Sequence, residues 1–243
     1  MCQKRVRFFA GLMSLRYWLC SIVIIIVVII SVCLVVYPDI LLSLEKAETE
    51  NRAIIKEYRV VDYPTPNYDK EKSNQVLGVV LHHTAEPTVE KSLAILTSPI
   101  KKVGTHVVID TDGTRYVMAE PNIATYHAGR SILDGHEGCN YCTIGIEFQG
   151  NTLVAPLTDD QIASGIEYIM PIMAKYNIPL KNIVTHEMVR TAYMQKYPQK
   201  RCSAKVDITS IEYARFMKAL KPAWEKYIVS KDSPITKKKY ENM

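Results

Sequence analysis

The sequence predicts a single α/β domain with a central mixed β-sheet flanked by helices, preceded by one N-terminal transmembrane helix. An uncharged apolar run, from Trp18 to Tyr37, lies near the start of the chain. Further on, short apolar runs typical of buried strands alternate with stretches of helical periodicity. The 243 residues are 48% hydrophobic and 23% charged, which excludes disordered, collagen-like and coiled-coil chains.

Residues 18–37 are predicted to form a membrane anchor, because about 20 apolar residues span the roughly 30 Å hydrocarbon core. Residues 1–17 contain basic residues and no acidic one. The positive-inside rule therefore predicts a cytoplasmic N-terminus, a single pass through the cytoplasmic membrane and an extracytoplasmic domain, periplasmic if the cell has an outer membrane. The alternative is a cleaved signal peptide. The anchor is favoured because the run exceeds the usual signal length and no small-x-small cleavage site follows it.

The remaining chain is divided by composition. Residues 38–75 are charged, mixed in sign and proline-containing, and we interpret them as a juxtamembrane stalk. The folded domain is predicted over residues 76–228, and residues 229–243 form a basic tail. The net charge of +5 is too small and too scattered to indicate nucleic-acid binding.

The elements of the domain are predicted from local patterns. Strands are expected at residues 76–81, at 142–150, at 182–186 and on both sides of the Asp112-Gly113 turn. Helices are expected after the caps Thr88 and Thr158, the latter in a capping box with Gln161, and over residues 209–228.

Two histidines stand where predicted strands end. His82 follows the run VLGVVL directly, and His186 follows NIVT. Since sites of open α/β sheets are built at strand ends, these two imidazoles can converge on one metal ion. The segment THEMVR begins like a zinc-protease helix, but Arg190 stands where H-E-x-x-H requires its second histidine.

Five pieces of the sequence then occur in an order that resembles a known family. They are LHHTAEPT, GTHVVIDTDGTRY, TYHAG, CNYCTIGIEFQG and VTHEMVR followed by AKVDI. Together they resemble the zinc-dependent N-acetylmuramoyl-L-alanine amidases of the type-2 amidase and peptidoglycan-recognition-protein superfamily.

The resemblance implies one catalytic zinc ion bound by His82, His186 and Asp207, with Glu147 as catalytic base and Lys205 as partner of the developing oxyanion. Two imidazoles and one carboxylate leave a fourth position for water, as an open catalytic zinc site requires. The implied reaction cuts the amide bond between the lactyl group of N-acetylmuramic acid and L-alanine in peptidoglycan or muropeptides.

Some assignments stay open. The long gap between His186 and Asp207 leaves Cys202 and Glu187 as alternative third ligands. His127 is a candidate substrate contact, and so is Thr105, which stands where some relatives have a catalytic tyrosine. Members of the superfamily also include non-catalytic modules that bind muropeptides, which is the alternative function. Disulfide pairing among the exported cysteines is not readable from their spacing.

Overall fold

The computed structural model describes residues 57–200, 202 and 207–232. The predicted anchor, the first half of the predicted stalk (residues 38–56) and Lys205 lie outside these residues. Within them, no helix combines the length and the apolar character needed to cross a membrane.

Strands and helices of the described residues are numbered along the chain. The strands are β1 (Val60–Asp62), β2 (Tyr68–Ser73), β3 (Gly78–His83), β4 (Val107–Ile109), β5 (Arg115–Val117), β6 (Ile123–Thr125), β7 (Ile132–Leu133), β8 (His136–Glu137), β9 (Thr143–Phe148) and β10 (Ile183–Thr185). The α-helices are α1 (Val89–Leu96), α2 (Asp159–Tyr176), α3 (His186–Lys196) and α4 (Ser210–Asp232), and short 3₁₀ turns cover Cys139–Tyr141 and Leu180–Asn182.

Six strands form the central sheet in the order β1-β5-β4-β9-β3-β10. The pair β4 and β5 is antiparallel, and the other neighbouring pairs are parallel. The predicted mixed sheet is thus confirmed. Two small antiparallel sheets, β2 with β6 and β7 with β8, complete the strand pairing of the described residues.

The alternation of side chains along the central strands separates the core from the site. In β9, Ile144, Ile146 and Phe148 belong to the main core, where the Phe148 ring lies 5.8 Å from that of Phe216 in α4. The residues between them, including Glu147, therefore face the opposite side of the sheet. Both β3 and β9 are buried along their whole length.

Several local predictions are confirmed. Thr88 caps α1, and Thr158 caps α2 in a capping box with Gln161. Asp112-Gly113 joins the antiparallel strands β4 and β5, with the Gly113 N–H donating to the carbonyl oxygen of Asp110 at 2.9 Å.

The predicted start of the domain at residue 76 is wrong. The compact unit begins at Tyr58, because β1 pairs with β5 in the central sheet and β2 pairs with β6. β2 has the polar sequence YDKEKS, and a strand held mainly through its backbone carries no apolar run to reveal it. At the other end, α4 continues to Asp232, past the predicted boundary at 228.

Candidate active site

The three predicted metal ligands converge at one edge of the central sheet. Leu81 of β3 is the register partner of Thr185 in β10, so the next residues along these parallel strands, His82 and His186, stand side by side. Thr185 also caps α3 by accepting a hydrogen bond from the Met188 N–H, which turns the chain at His186. Asp207 reaches the same point from the segment before α4.

The donor atoms of these residues lie close together. One nitrogen of His82, one of His186 and one carboxylate oxygen of Asp207 all lie within 4.8 Å of one another. His82 Nδ1 is 3.5 Å from Asp207 Oδ1, and His186 Nδ1 is 2.5 Å from Asp207 Oδ2. His82 and Asp207 are each only 1% exposed.

Hydrogen bonds to neighbouring groups indicate which nitrogen of each histidine faces the metal site. The carbonyl oxygen of Ala128 can only accept, so His186 donates to it through Nε2 at 3.2 Å, and Nδ1 is the nitrogen that faces Asp207. In the same way His127 donates from Nε2 to the carbonyl oxygen of Thr143 at 3.3 Å. Its Nδ1 then accepts from His82 Nε2 at 3.2 Å, so Nδ1 is the His82 nitrogen that is left to bind a metal ion.

The environment of His127 keeps this ring neutral. Its pKa lies well below the ordinary value, first because of burial and then because His82, His106 and His186 surround it. A neutral ring with its proton on Nε2 has a free electron pair on Nδ1, as the hydrogen bond from His82 requires.

The resulting donor set fits a zinc ion. Two imidazole nitrogens and a buried carboxylate face one another, and a zinc ion can take the place of the proton that His186 Nδ1 and Asp207 share at 2.5 Å. Tetrahedral zinc with bonds of about 2.1 Å separates its ligand atoms by about 3.4 Å. The 3.5 Å between His82 Nδ1 and Asp207 Oδ1 is close to that separation, whereas the 2.5 Å between His186 Nδ1 and Asp207 Oδ2 is a hydrogen-bond distance that must widen when zinc binds.

Glu147 lies beside this donor set. It is the register partner of His82 in the neighbouring parallel strand β9, so both side chains project from the same face of the sheet. Its side chain is 6% exposed and lines a cleft of about 1040 Å³, into which His186 and His127 also open. A carboxylate in this position can exchange a proton with a molecule bound at the metal.

The cleft wall is rich in cationic side chains. Four cationic side chains line it but only two carboxylates, those of Glu86 and Glu147; the cations are Lys101, Lys102, Arg130 and Arg190. The cleft therefore favours anionic ligands.

The alternative ligands are not part of the donor set. Among the described residues, the group that can hold a metal ion consists of His82, His186 and Asp207. Cys202 lines the cleft, and Glu187 is exposed on the first turn of α3. Cys139, Cys142 and Cys202 are free thiols.

The two candidate substrate contacts differ in position. His127 lines the cleft, and its ring is hydrogen-bonded to His82. Thr105 is fully buried beneath the cleft, and its Oγ1 lies 2.9 Å from where a side chain at Gly145 would begin, on the same face of β9 as Glu147. The structure therefore does not place Thr105 on the cleft wall.

Two of the groups that hold the ligands, the carbonyls of Ala128 and Thr143, were not recognised in the sequence, whereas His83 was expected beside the ligands at the end of its strand. Ala128 and Thr143 act through backbone carbonyls, which carry no residue-specific signal. His83 accepts hydrogen bonds at Nδ1 from the N–H of Thr152 (3.1 Å) and from its hydroxyl (2.8 Å), and the Thr152 hydroxyl oxygen accepts from the Thr209 N–H. His83 thereby ties the segment that carries Asp207 to the end of β3.

Comparison with known proteins identifies the family. The family model Amidase_2, described as N-acetylmuramoyl-L-alanine amidase, matches residues 72–205, more than half of the chain. The chain belongs to this amidase family. Among curated proteins, N-acetylmuramoyl-L-alanine amidase AmiD of Escherichia coli K12 is 32% identical over 124 residues, which are 44% of this chain and 44% of AmiD. The chain thus matches less than half the length of that family member.

The solved structure of AmpD shares the fold. A selenomethionine derivative of AmpD superimposes with a TM-score of 0.51 at 24% identity, covering 68% of this chain and 95% of AmpD. The complex of E. coli AmiD with anhydro-N-acetylmuramic acid-L-Ala-D-γ-Glu-L-Lys gives a TM-score of 0.43 at 24% identity, over 51% of this chain and 53% of that one.

Proposed function

We propose that this protein is a zinc-dependent N-acetylmuramoyl-L-alanine amidase. It hydrolyses the amide bond between the lactyl group of N-acetylmuramic acid and L-alanine in peptidoglycan stem peptides. The observation that carries the proposal is the meeting of His82, His186 and Asp207 beside the buried Glu147, at a cleft lined by cations. Membership of the amidase family supports it.

His82, His186 and Asp207 would hold the metal ion through two neutral imidazoles and one carboxylate. Bound there, zinc would act as a Lewis acid that lowers the pKa of a water molecule to about 7 and polarises the scissile carbonyl. The protein fixes the direction of both imidazoles through the hydrogen bonds that their Nε2 atoms donate to His127 and Ala128.

Glu147 moves the proton. Its carboxylate accepts a proton from the attacking water, whose oxygen bonds to the lactyl carbonyl carbon, and then donates it to the nitrogen of L-alanine as the C–N bond breaks. Burial shields Glu147 from bulk water and keeps the transfer local. On the family resemblance, we also propose that Lys205 stabilises the oxyanion that develops on the lactyl carbonyl. Losing one such stabilising donor typically costs about 3 kcal/mol, roughly a hundredfold in rate.

The volume and the charge of the cleft suit an anionic muropeptide. Its volume of about 1040 Å³ lies at the upper end of the range for ligand pockets, with room for a sugar and several amino acids. Stem peptides carry free carboxylates, which the lysine and arginine side chains on the wall can pair with.

The test is mass spectrometry of the products from purified peptidoglycan and from soluble muropeptides. Release of stem peptides with a free L-alanine amine, abolished by a chelator and restored by zinc, is the expected result. Unchanged release by His82→Ala would refute the zinc mechanism. Muropeptide binding without any cleavage by zinc-loaded protein would instead support the alternative function, a non-catalytic binding module.

We also propose that residues 18–37 anchor the protein in the cytoplasmic membrane with the catalytic domain outside the cytoplasm. The uncharged run and the basic residues that precede it support this topology. Protease digestion of spheroplasts is the test: the domain should be digested without lysis, and the undigested protein should be recovered in the membrane fraction. A domain protected until lysis would contradict the topology.

A further inference from the structure

One dipeptide serves both histidine ligands. The ring of His127 accepts the hydrogen bond from His82 Nε2 at 3.2 Å. The next residue, Ala128, accepts from His186 Nε2 through its carbonyl oxygen, also at 3.2 Å. The position of this dipeptide therefore decides where the Nδ1 atoms of both histidines point.

Asn140 holds the same dipeptide in place. Its side-chain Oδ1 accepts hydrogen bonds from the N–H groups of both His127, at 3.1 Å, and Ala128, at 2.7 Å. The His127 N–H is shared with the carbonyl oxygen of Thr125 at 3.1 Å. The dipeptide follows the end of β6, beyond the ladder that pairs β6 with β2.

The support of Asn140 is itself fixed. It is the middle residue of the 3₁₀ turn Cys139–Tyr141. The Cys139 N–H donates to Ser131 Oγ at 2.9 Å, and the Thr143 hydroxyl donates to the Cys139 carbonyl oxygen at 2.7 Å. Because Thr143 begins β9, this turn is tied to the strand that carries Glu147.

We propose that Asn140 is a positioning residue of the metal site. It orients His82 and His186 by holding, through one oxygen atom, the dipeptide that fixes both imidazoles. This inference rests on the zinc site of the proposed function. It adds that zinc affinity depends on a side chain that is not a ligand.

The experiment measures zinc affinity of the full-length protein by competition with a chromophoric chelator. Asn140→Ala is expected to weaken zinc binding 10- to 100-fold, the usual effect of losing an outer partner of a ligand. Asn140→Asp keeps an acceptor of the same length and should bind zinc within about threefold of the wild type. Spectra of the cobalt-substituted proteins should change in Asn140→Ala and stay like wild type in Asn140→Asp.

Asn182→Ala is the matched control. Asn182 is a buried asparagine that also bonds to the backbone, donating from Nδ2 to the Leu77 carbonyl oxygen at 2.9 Å. It lies at the start of β10, at the opposite end of that strand from His186. Its loss should lower the melting temperature and leave the zinc dissociation constant unchanged.

The outcomes separate this inference from the proposed function. Wild-type protein without zinc affinity would refute the zinc site itself. Tight binding by the wild type with equal binding by Asn140→Ala would overturn the role of Asn140 and leave the site intact. Equal losses in Asn140→Ala and Asn182→Ala, or no rescue by Asn140→Asp, would also overturn it. If Asn140→Ala fails to fold, Asn140→Ser, whose hydroxyl is too short to reach both N–H groups, takes its place with the same criteria.

Discussion

His82 and Glu147 are register partners in the parallel strands β3 and β9. Register partners on neighbouring strands have their backbones about 5 Å apart and their side chains on one face of the sheet. The distance between a metal ligand and the proposed base is therefore set by the central hydrogen-bond ladder of the fold, and loop conformation does not enter it.

Glu147→Gln should separate zinc binding from turnover. The amide keeps the size of the side chain but cannot take a proton, so the rate should fall by about 10²- to 10⁴-fold with one zinc still bound. Initial rates of L-alanine amine release and metal analysis check this. Glu90→Gln, on the exposed face of α1, is the control and should keep its activity. Loss of zinc from Glu147→Gln would make Glu147 a ligand and contradict its role as base.

Asp207→Ala should lose both zinc and activity. The remaining two imidazoles make an incomplete site, and zinc content after dialysis should fall to well below one per chain. Cys202→Ser, which changes a nearby thiol on the cleft wall, should keep a full complement of zinc. Full zinc occupancy in Asp207→Ala together with zinc loss in Cys202→Ser would move the third ligand to Cys202.

Zinc should stabilise the folded chain. A ligand that binds only the native state adds about 4 kcal/mol of stability at a thousandfold excess over its dissociation constant. Urea titration of the metal-free protein, with and without zinc, measures this difference. In His186→Ala the difference should nearly vanish, and an equal gain there would show that zinc binds elsewhere.

Gly145→Ala should damage the site through His127. A Cβ at Gly145 would lie 2.6 Å from His127 Cγ, so the ring that accepts from His82 must move. We expect a loss of about 1–3 kcal/mol of stability and weaker zinc binding. Gly78→Ala creates an equally severe clash, 2.7 Å from the Asn182 carbonyl oxygen, at the other end of β3, and should lower stability alone. Equal zinc affinity in both variants would contradict the prediction.

His106 should make the metal-free protein less stable in acid. Burial lowers the pKa of this fully buried ring to about 4, from about 6.5 in the unfolded chain. Between these values the unfolded chain binds the proton and the folded chain does not. Stability is therefore complete above pH 6.5 and falls as the pH drops towards 4, by about 3 kcal/mol in total.

Urea titrations of the metal-free protein across pH 4–7 test this effect. His106→Asn should have lower stability at pH 7, because it loses the bond to the Ile123 carbonyl oxygen, and a shallower slope of stability with pH. His136→Asn, at an exposed position, should keep the wild-type slope. An unchanged slope in His106→Asn would assign the acid sensitivity to other groups.

Much of the fold was predictable because its signals are local. The caps Thr88 and Thr158 and the Asp112-Gly113 turn act within a few residues, and buried strands such as β9 have unmistakable apolar runs. The strand β2 was not predicted, because the backbone of a polar segment makes its pairing. Its partner β6 lies about fifty residues later in the chain, and nothing local records such a pairing.

Some residues of the site were likewise predictable from local sequence, and others were not. His82 and His186 were visible because each follows an apolar run, whereas Asp207 and Glu147 needed the family resemblance. Asn140 was not found, since its role depends on two backbone N–H groups twelve and thirteen residues away. Side chains that bond to the backbone of a distant segment, unlike helix caps, leave no pattern in a single sequence.

The parallel centre of the sheet also determines which parts of the protein open to solvent. β9 is flanked by β4 and β3 and buried along its length, so its amide hydrogens should exchange for deuterium only when the whole domain unfolds. The opposite wall of the cleft, around Lys101 and Lys102, lies between α1 and β4 without regular structure, and its amides should exchange early. We therefore expect this wall to adjust when a ligand enters the cleft, while β9 and Glu147 stay fixed. Loop grafting at residues 98–104 is accordingly the place to alter substrate preference without rebuilding the chemistry.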